Sequence, residues 1–328
     1  MKATKVIVFA LLVILLLLVL ACGGGNGEAT PTPTPTVTGE AGELNLQPPD
    51  PAKLGTTEHD ITYGNVSGVA LKMDVYYPEV ADKAMPAIIY VHGGAWISGD
   101  KASDEGVKFI PELVARGYIV ASVNYRLAPE HKFPAQIEDI KCAVRHLRAN
   151  AAKYGIDPRQ IGAVGASAGG HLVALLGTSD PSSGLEGACG YSEESSRVQV
   201  VVDLCGPTDL AVLLFDVDYV SSVEEYYNTA AEQVLGTRDP NAEIVSAVSP
   251  VTHVTSDDPP FLIIHGEEDI LVPLSQAEIL YNQLVAAQVP ATLVVVENAS
   301  HYLTGTDASM TLEEIVDMIA DFFDQHLK

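Results

Sequence analysis

Gly165-Ala166-Ser167-Ala168-Gly169-Gly170 is the stretch on which the fold turns. It follows the apolar run Ile161 to Gly165, which reads as a buried strand, and precedes His171 to Leu176, which reads as the start of a helix. A serine hydroxyl is a weak nucleophile. To act, it must project from a sharp strand-to-helix turn where a base can reach it, and small neighbours make room for that turn. The short pattern G-x-S-x-G recurs by chance, so its weight here comes from the strand before it and the helix after it. The alternative is a serine that only packs.

Working outward, the chain alternates strand and helix from about residue 58. Two β-type segments, about 58–64 and 69–77, come first, followed by buried runs at Ala87 to Val91, Tyr118 to Tyr125, Val198 to Leu204, Pro260 to His265 and Ala291 to Val296. Continuous apolar strands separated by helices imply an α/β fold, a mostly parallel central sheet covered on both faces. A helix after Pro134 carries Ile137, Ile140, Val144 and Leu147 on one face and is expected to end at Gly155. Ser275 with Glu278, and Thr311 with Glu314, match the capping-box spacing ahead of apolar stripes. The stretch between Leu204 and Pro260 exceeds what a simple crossover needs. Part of it, with Tyr219, Tyr226 and Tyr227, reads as a small cap insertion over the site.

Acyl transfer to a serine generates an oxyanion, a charged base and a need for an orienting carboxylate. His92-Gly93-Gly94-Ala95-Trp96 closes the strand Ala87 to Val91, and a glycine pair lets backbone N–H groups approach an oxyanion. The predicted donors are Gly93, Gly94 and Ala168. His92 itself reads as a structural hydrogen bonder, while Trp96 suits packing and substrate contact equally. After Pro260 to His265 comes Gly266-Glu267-Glu268-Asp269-Ile270-Leu271-Val272-Pro273, and after Ala291 to Val296 comes Glu297-Asn298-Ala299-Ser300-His301. Both lie at carboxyl ends of strands, where parallel sheets present functional loops. The predicted catalytic set is Ser167 as nucleophile, His301 as base and Asp269 or Glu268 as the orienting acid. The only later histidine, His326, falls on the terminal amphipathic helix.

Together His92 to Trp96, Tyr125 to Glu130, Gly165 to Gly170, Asp269 with Val272 and Pro273, and His301 make the chain resemble the hormone-sensitive-lipase-like and feruloyl or acetylxylan esterase groups of the α/β-hydrolase fold. The resemblance spans about residues 58 to 327 and, through the Val272 and Pro273 that follow, implies Asp269 in preference to Glu268 as the orienting acid. It implies a serine carboxylic ester hydrolase working through an acyl-enzyme on short-chain, aryl or carbohydrate-linked esters. Ala166 before the serine and Ala95-Trp96 after the glycine pair depart from the usual hormone-sensitive-lipase-like pattern and move the resemblance toward small-acyl, feruloyl and formamide-cleaving relatives. Tyr125 to Glu130, with Phe133, Pro134 and Ala135, is expected to buttress the nucleophile side of the fold. Alternatives are an amidase, arylformamidase or peptidase of the same fold, an acyl transferase, and a surface binding protein that has lost catalysis.

No cofactor is implied. Cys142 and His146 stand one turn apart without further ligands, and neither H-E-x-x-H nor paired C-x-x-C occurs, so no metal site is expected. His171 and Asp209 read as a hydrogen-bonded helix residue and a turn or cap residue. The formal charge of −25 repels nucleic acid and anionic membrane surfaces. The expected partner is thus a small-molecule or polysaccharide-linked ester; the motifs do not specify its acyl or alcohol half, or an oligomeric state.

Lys2 and Lys5 precede an unbroken apolar run from Val6 to Ala21, the layout of a secretory signal. Val19-Leu20-Ala21-Cys22 resembles the lipobox of bacterial lipoproteins, which implies a signal peptide over 1–21 and a lipidated Cys22. An uncleaved membrane anchor is the other reading, and both place the catalytic part outside the cytoplasm. Residues 22–51, rich in Gly, Thr and Pro, form a tether that as a coil would span roughly 30 Å, ahead of a catalytic domain at 52–328. Of the remaining cysteines, Cys189 and Cys205 could pair and leave Cys142 buried on a helix, or all three could be free thiols.

Overall fold

The computed structural model describes residues 55–79, 84–102, 104–215 and 230–328, with side chains from 109 onward in the helix that opens at Asp104. All of them belong to the compact unit Leu46–Lys328. The leader, Cys22, the tether and the tyrosines at 219, 226 and 227 lie outside the described residues. No described helix is long and apolar enough to cross a membrane.

Eight strands form one sheet: β1 (Thr57–Val66), β2 (Val69–Tyr76), β3 (Met85–Val91), β4 (Ile119–Val123), β5 (Ile156–Ala166), β6 (Val200–Leu204), β7 (Phe261–Gly266) and β8 (Ala291–Val296). Their order is β1-β2-β4-β3-β5-β6-β7-β8. Pairings β1–β2 and β2–β4 are antiparallel, and every pairing from β4–β3 to β7–β8 is parallel. Strands buried on both faces can afford no polar face. In β3, Ala87, Ile89 and Val91 join one apolar cluster while Ile88 and Tyr90 join the other.

The helices are α1 (Asp104–Ala115), α2 (Ala135–Ala149), α3 (Ala168–Thr178), α4 (Leu274–Ala286) and α5 (Leu312–Leu327), with shorter turns between. Residues of α1 and α5 fill one cluster, and those of α2, α3 and α4 the other. Close packing of α5 explains Gly162 in β5, because a Cβ there would stand 2.8 Å from Phe323. The predicted stripe of α2 is fully buried at Ile137, Ile140, Val144 and Leu147. That helix stops earlier than expected, at Asn150, whose amide and side chain both donate to the His146 carbonyl. A single further turn, Ala151–Tyr154, then ends on left-handed Gly155.

The predicted capping box at Thr311 and Glu314 is present, whereas that at Ser275 is not. Pro273 is the N-cap of α4, and Ser275 sits inside the first turn. Pro273 leads straight out of the Asp269 loop, whose amides at Leu271 and Val272 are held by the Asp269 carboxylate, so the helix starts before Ser275 can cap it.

The cysteine pairing also differs from the expectation. Cys142 bonds Cys189, with Cα atoms 6.0 Å apart, and Cys205 is free and buried. Position 205 follows β6 under the sheet rim, whereas Cys189 lies in the loop that covers α2. That loop is held further by Lys141 and Arg145 of α2, both bonded to Glu186. The disulfide closes a separation of 47 residues, for which loop-closure entropy predicts about 4 kcal/mol. Replacing Cys142 and Cys189 together by Ala should therefore lower the urea midpoint by the equivalent of about 2–4 kcal/mol. Activity at room temperature should be kept, because neither cysteine approaches the site.

Candidate active site

Carboxyl ends of β3, β5, β7 and β8 come to one rim, and each carries a motif picked out in the sequence. At the end of β5 Ser167 holds φ 56° and ψ −121°, a left-handed conformation that is costly for a non-glycine residue. Its N–H donates to the Leu204 carbonyl at 2.8 Å, which fixes the turn to β6. The glycines are obligatory for the close approach to β3: a Cβ on Gly169 would stand 2.1 Å from the Val91 carbonyl oxygen.

Ser167, His301 and Asp269 are brought together. His301 Nδ1 lies 2.6 Å from Asp269 Oδ2, and its Nε2 lies 2.9 Å from Ser167 Oγ. A carboxylate accepts, so Nδ1 carries the proton and Nε2 is left to accept from the serine hydroxyl. Asp269 Oδ1 in turn accepts from the amides of Leu271 at 2.9 Å and Val272 at 2.8 Å. Burial alone would raise this carboxyl. Hydrogen bonds from His265, His301 and the Val272 amide outweigh burial and hold it well below the usual carboxylate range. Glu268 is exposed, which leaves Asp269 as the carboxylate in contact with His301.

The His92–Trp96 turn stands beside this hydrogen-bonded line. Ala95 and Ala168 line a cleft with Ser167 and His301, together with Trp96, Pro207, Leu213, Leu214, Leu271 and Val272. Gly93 and Gly94 do not line it: Gly93 is buried and its carbonyl lies 2.7 Å from His92 Nδ1, while the Gly94 carbonyl accepts from Ile97 and Ser98. Left-handed backbone at Gly94, Ala95 and Trp96 makes the turn. Ala95 was missed in the sequence because an alanine carries no chemistry in its side chain; its contribution is a backbone position. A second cleft on the other side of the serine is lined by Phe109, Ala166, Leu204, Cys205, Tyr302, Leu303 and Leu312.

Trp96 packs the loop, as one of its two readings expected, and also faces the cleft. Its indole N–H donates to His171 Nδ1 at 3.2 Å while its ring packs edge-on against His171 and Phe133. His171 Nε2 lies 2.8 Å from the Val248 carbonyl, so it is a neutral bridging ring, and burial pushes its pKa down to about 4. His92 stacks on Tyr125, and burial lowers its pKa as well.

The buttress expected on the nucleophile side reaches it through Phe133, which packs edge-on against His171 of α3, and it also braces the His92–Trp96 turn. Tyr125 donates to the His92 carbonyl and the Ala128 amide to the Trp96 carbonyl. Arg126 forks onto Asp139 of α2. Asp209 accepts from the amides of Ala211 and Val212, a cap as expected. One group of possible metal ligands occurs among the described residues, Cys205, His265 and Asp269, with ligand atoms within 4.8 Å of one another. Asp269 already accepts from His301 and two backbone amides, and His265 bonds the Val272 carbonyl.

Comparison with known proteins finds esterases. The family model described as BD-FAE matches residues 73–284. The chain is 35% identical over 212 residues to "Esterase LipC" of Mycobacterium tuberculosis, covering 63% of this chain and 50% of that protein. The chain spans about half the length of the curated relatives it matches. Among solved structures, a "truncated form of carbohydrate esterase from gut microbiota" superposes with TM-score 0.73 at 31% identity, covering 85% of this chain and 99% of that one. Propionate-bound esterase Est2 of Thermogutta terrifontis gives TM-score 0.66 at 26% identity over 81% of this chain and 93% of that one.

Proposed function

The chain belongs to the BD-FAE family, and from that premise we propose that it is a serine carboxylic ester hydrolase working through an acyl-enzyme. One observation carries the proposal: the continuous line from Asp269 through both nitrogens of His301 to the Ser167 hydroxyl. His301 takes the Ser167 proton as Oγ attacks the ester carbonyl. Asp269 holds the ring in the tautomer that can accept and stabilises the imidazolium that results. The tetrahedral oxygen is met by backbone N–H groups of the residues that border the cleft, Ala168 of the expected set together with Ala95, while Gly93 and Gly94 shape the turn that carries Ala95. His301 then protonates the leaving alcohol. Water attacks the acyl-enzyme by the same route in reverse, releasing the acid.

Described residues lining both clefts are apolar apart from Ser167, His301, Cys205 and Tyr302, which favours an uncharged acyl group and an uncharged alcohol. Short-chain, aryl and carbohydrate-linked esters meet that condition. A fluorophosphonate should label one residue stoichiometrically, peptide mapping should place the label on Ser167, and p-nitrophenyl acetate should give a burst of one p-nitrophenolate per enzyme. Label on any other residue would remove the assignment. A panel of acetyl, feruloyl and formyl substrates then ranks ester against formamide cleavage.

The catalytic domain is carried outside the cytoplasm on a lipidated Cys22, through the tether at 22–51. The Cys142–Cys189 disulfide supports this placement, because such bonds persist in oxidising compartments. Cys22→Ser should move the enzyme from the membrane fraction to the soluble one and end incorporation of labelled palmitate; unchanged fractionation with no label in the parent protein would reject the anchor.

A further inference from the structure

His265, at the end of β7, is fully buried and plays no part in the scheme above. Its Nε2 lies 2.8 Å from the Val272 carbonyl and 3.3 Å from Asp269 Oδ2. A carbonyl oxygen only accepts, so Nε2 must carry a proton, and that N–H, bonded to the Val272 carbonyl, stands 3.3 Å from the carboxylate oxygen. With His301 on the same oxygen and two amides on the other, Asp269 accepts three hydrogen bonds and has the His265 N–H beside it. We propose that His265 is a positioning residue for the ester hydrolase reaction: it fixes the Asp269 carboxylate and tempers the negative field that Asp269 exerts on His301.

The far side of the ring bears on the same point. His265 Nδ1 and Asp203 Oδ2, on neighbouring strands, are both buried without a hydrogen-bond partner among the described residues. The other Asp203 oxygen accepts from the Gly206 amide at 2.9 Å. Burial raises Asp203 to about 6, partly offset by His265 nearby. The protonation of Nε2 therefore rests on the Val272 carbonyl it bonds, and Nδ1 is the unprotonated nitrogen of a neutral ring. The other titratable groups around His265 and Asp269 are Cys205 beyond β6, His301 beyond β8, and Glu267 and Glu268 on the loop itself. Burial pushes the Cys205 thiol up, so it stays uncharged, and both glutamates are exposed. His265 is therefore the group on the β7 side able to moderate the Asp269 charge.

The sign of the effect follows. Removing the Nε2 donor leaves Asp269 a stronger field source, which favours the imidazolium of His301 and moves the acidic limb of kcat/KM upward. His265→Leu should lose about ten- to a hundredfold in kcat on p-nitrophenyl acetate, the size expected for a hydrogen bond to a charged group. KM should change little, and the acidic limb should rise. His265→Gln, which puts an amide N–H in the same region, should recover much of kcat and bring the limb back. A folded Leu variant with unchanged kcat and limb, or a Gln variant as impaired as Leu, would overturn the proposal. Should the Leu variant not fold, ring-nitrogen NMR of the unaltered enzyme decides: His265 should be the tautomer that carries its proton on Nε2, and an unprotonated Nε2 would overturn it. The inference rests on the Ser167 reading, and Ser167→Ala assayed beside these variants separates the two: activity lost there but untouched in His265→Leu sinks the positioning role alone.

Discussion

Ser167→Ala should reduce turnover of p-nitrophenyl acetate and butyrate by about 10⁴- to 10⁶-fold while leaving the fold and substrate binding in place. The loss is large because the hydroxyl is the atom that forms the new bond; without it His301 has no proton to take and water must attack the ester unaided. Binding should survive, since the apolar linings of both clefts belong to other residues. Stability should change little as well. The left-handed backbone at position 167 is as costly for alanine as for serine, and the amide bond to the Leu204 carbonyl is untouched. Any activity that remains measures what the backbone donors and binding contribute by themselves. Turnover close to that of the parent enzyme would remove the entire catalytic assignment.

The line of side chains was legible because each member ends or closely follows a strand of a parallel sheet, and such sheets bring all their carboxyl ends to one rim. Continuous apolar runs marked the strands, and Ser167, Asp269 and His301 followed as the reactive side chains on loops after β5, β7 and β8. What could not be read was of another kind. The partner of Cys189 depends on where the loop at 184–198 lies over α2, a matter of tertiary packing with no local periodicity. Ser275 had the spacing of a cap, but a proline two residues earlier decided the helix start. Ala95 supplies a backbone position and His265 a buried bond across a loop, and neither is visible as a residue type. His265 sits in an apolar strand run, where a histidine reads as a satisfied core residue until its bond to the Val272 carbonyl and its contact with Asp269 are seen.

Asp269→Asn should cost about 10⁴-fold in kcat, and Glu268→Gln should be indistinguishable from the parent enzyme. Asn keeps an oxygen for the Leu271 and Val272 amides, so the loop should hold its shape. What it loses is the acceptor at Oδ2. An amide group there can donate to His301 Nδ1, which forces the ring proton onto Nε2 and points it at the Ser167 hydroxyl, so the base can no longer accept. The effect on stability has a definite sign. In the folded enzyme the Asp269 carboxyl is held below its ordinary value, so ionisation stabilises the native state above about pH 3.9, and that contribution disappears as pH falls through the folded value. Asp269→Asn should therefore be less stable than the parent at neutral pH, with the gap closing in acid. Urea midpoints across that range read it directly. If Glu268→Gln proved as damaging as Asp269→Asn, the loop would have to present its acids the other way round. The 2.6 Å contact between Asp269 and His301 would then not be the one that governs catalysis.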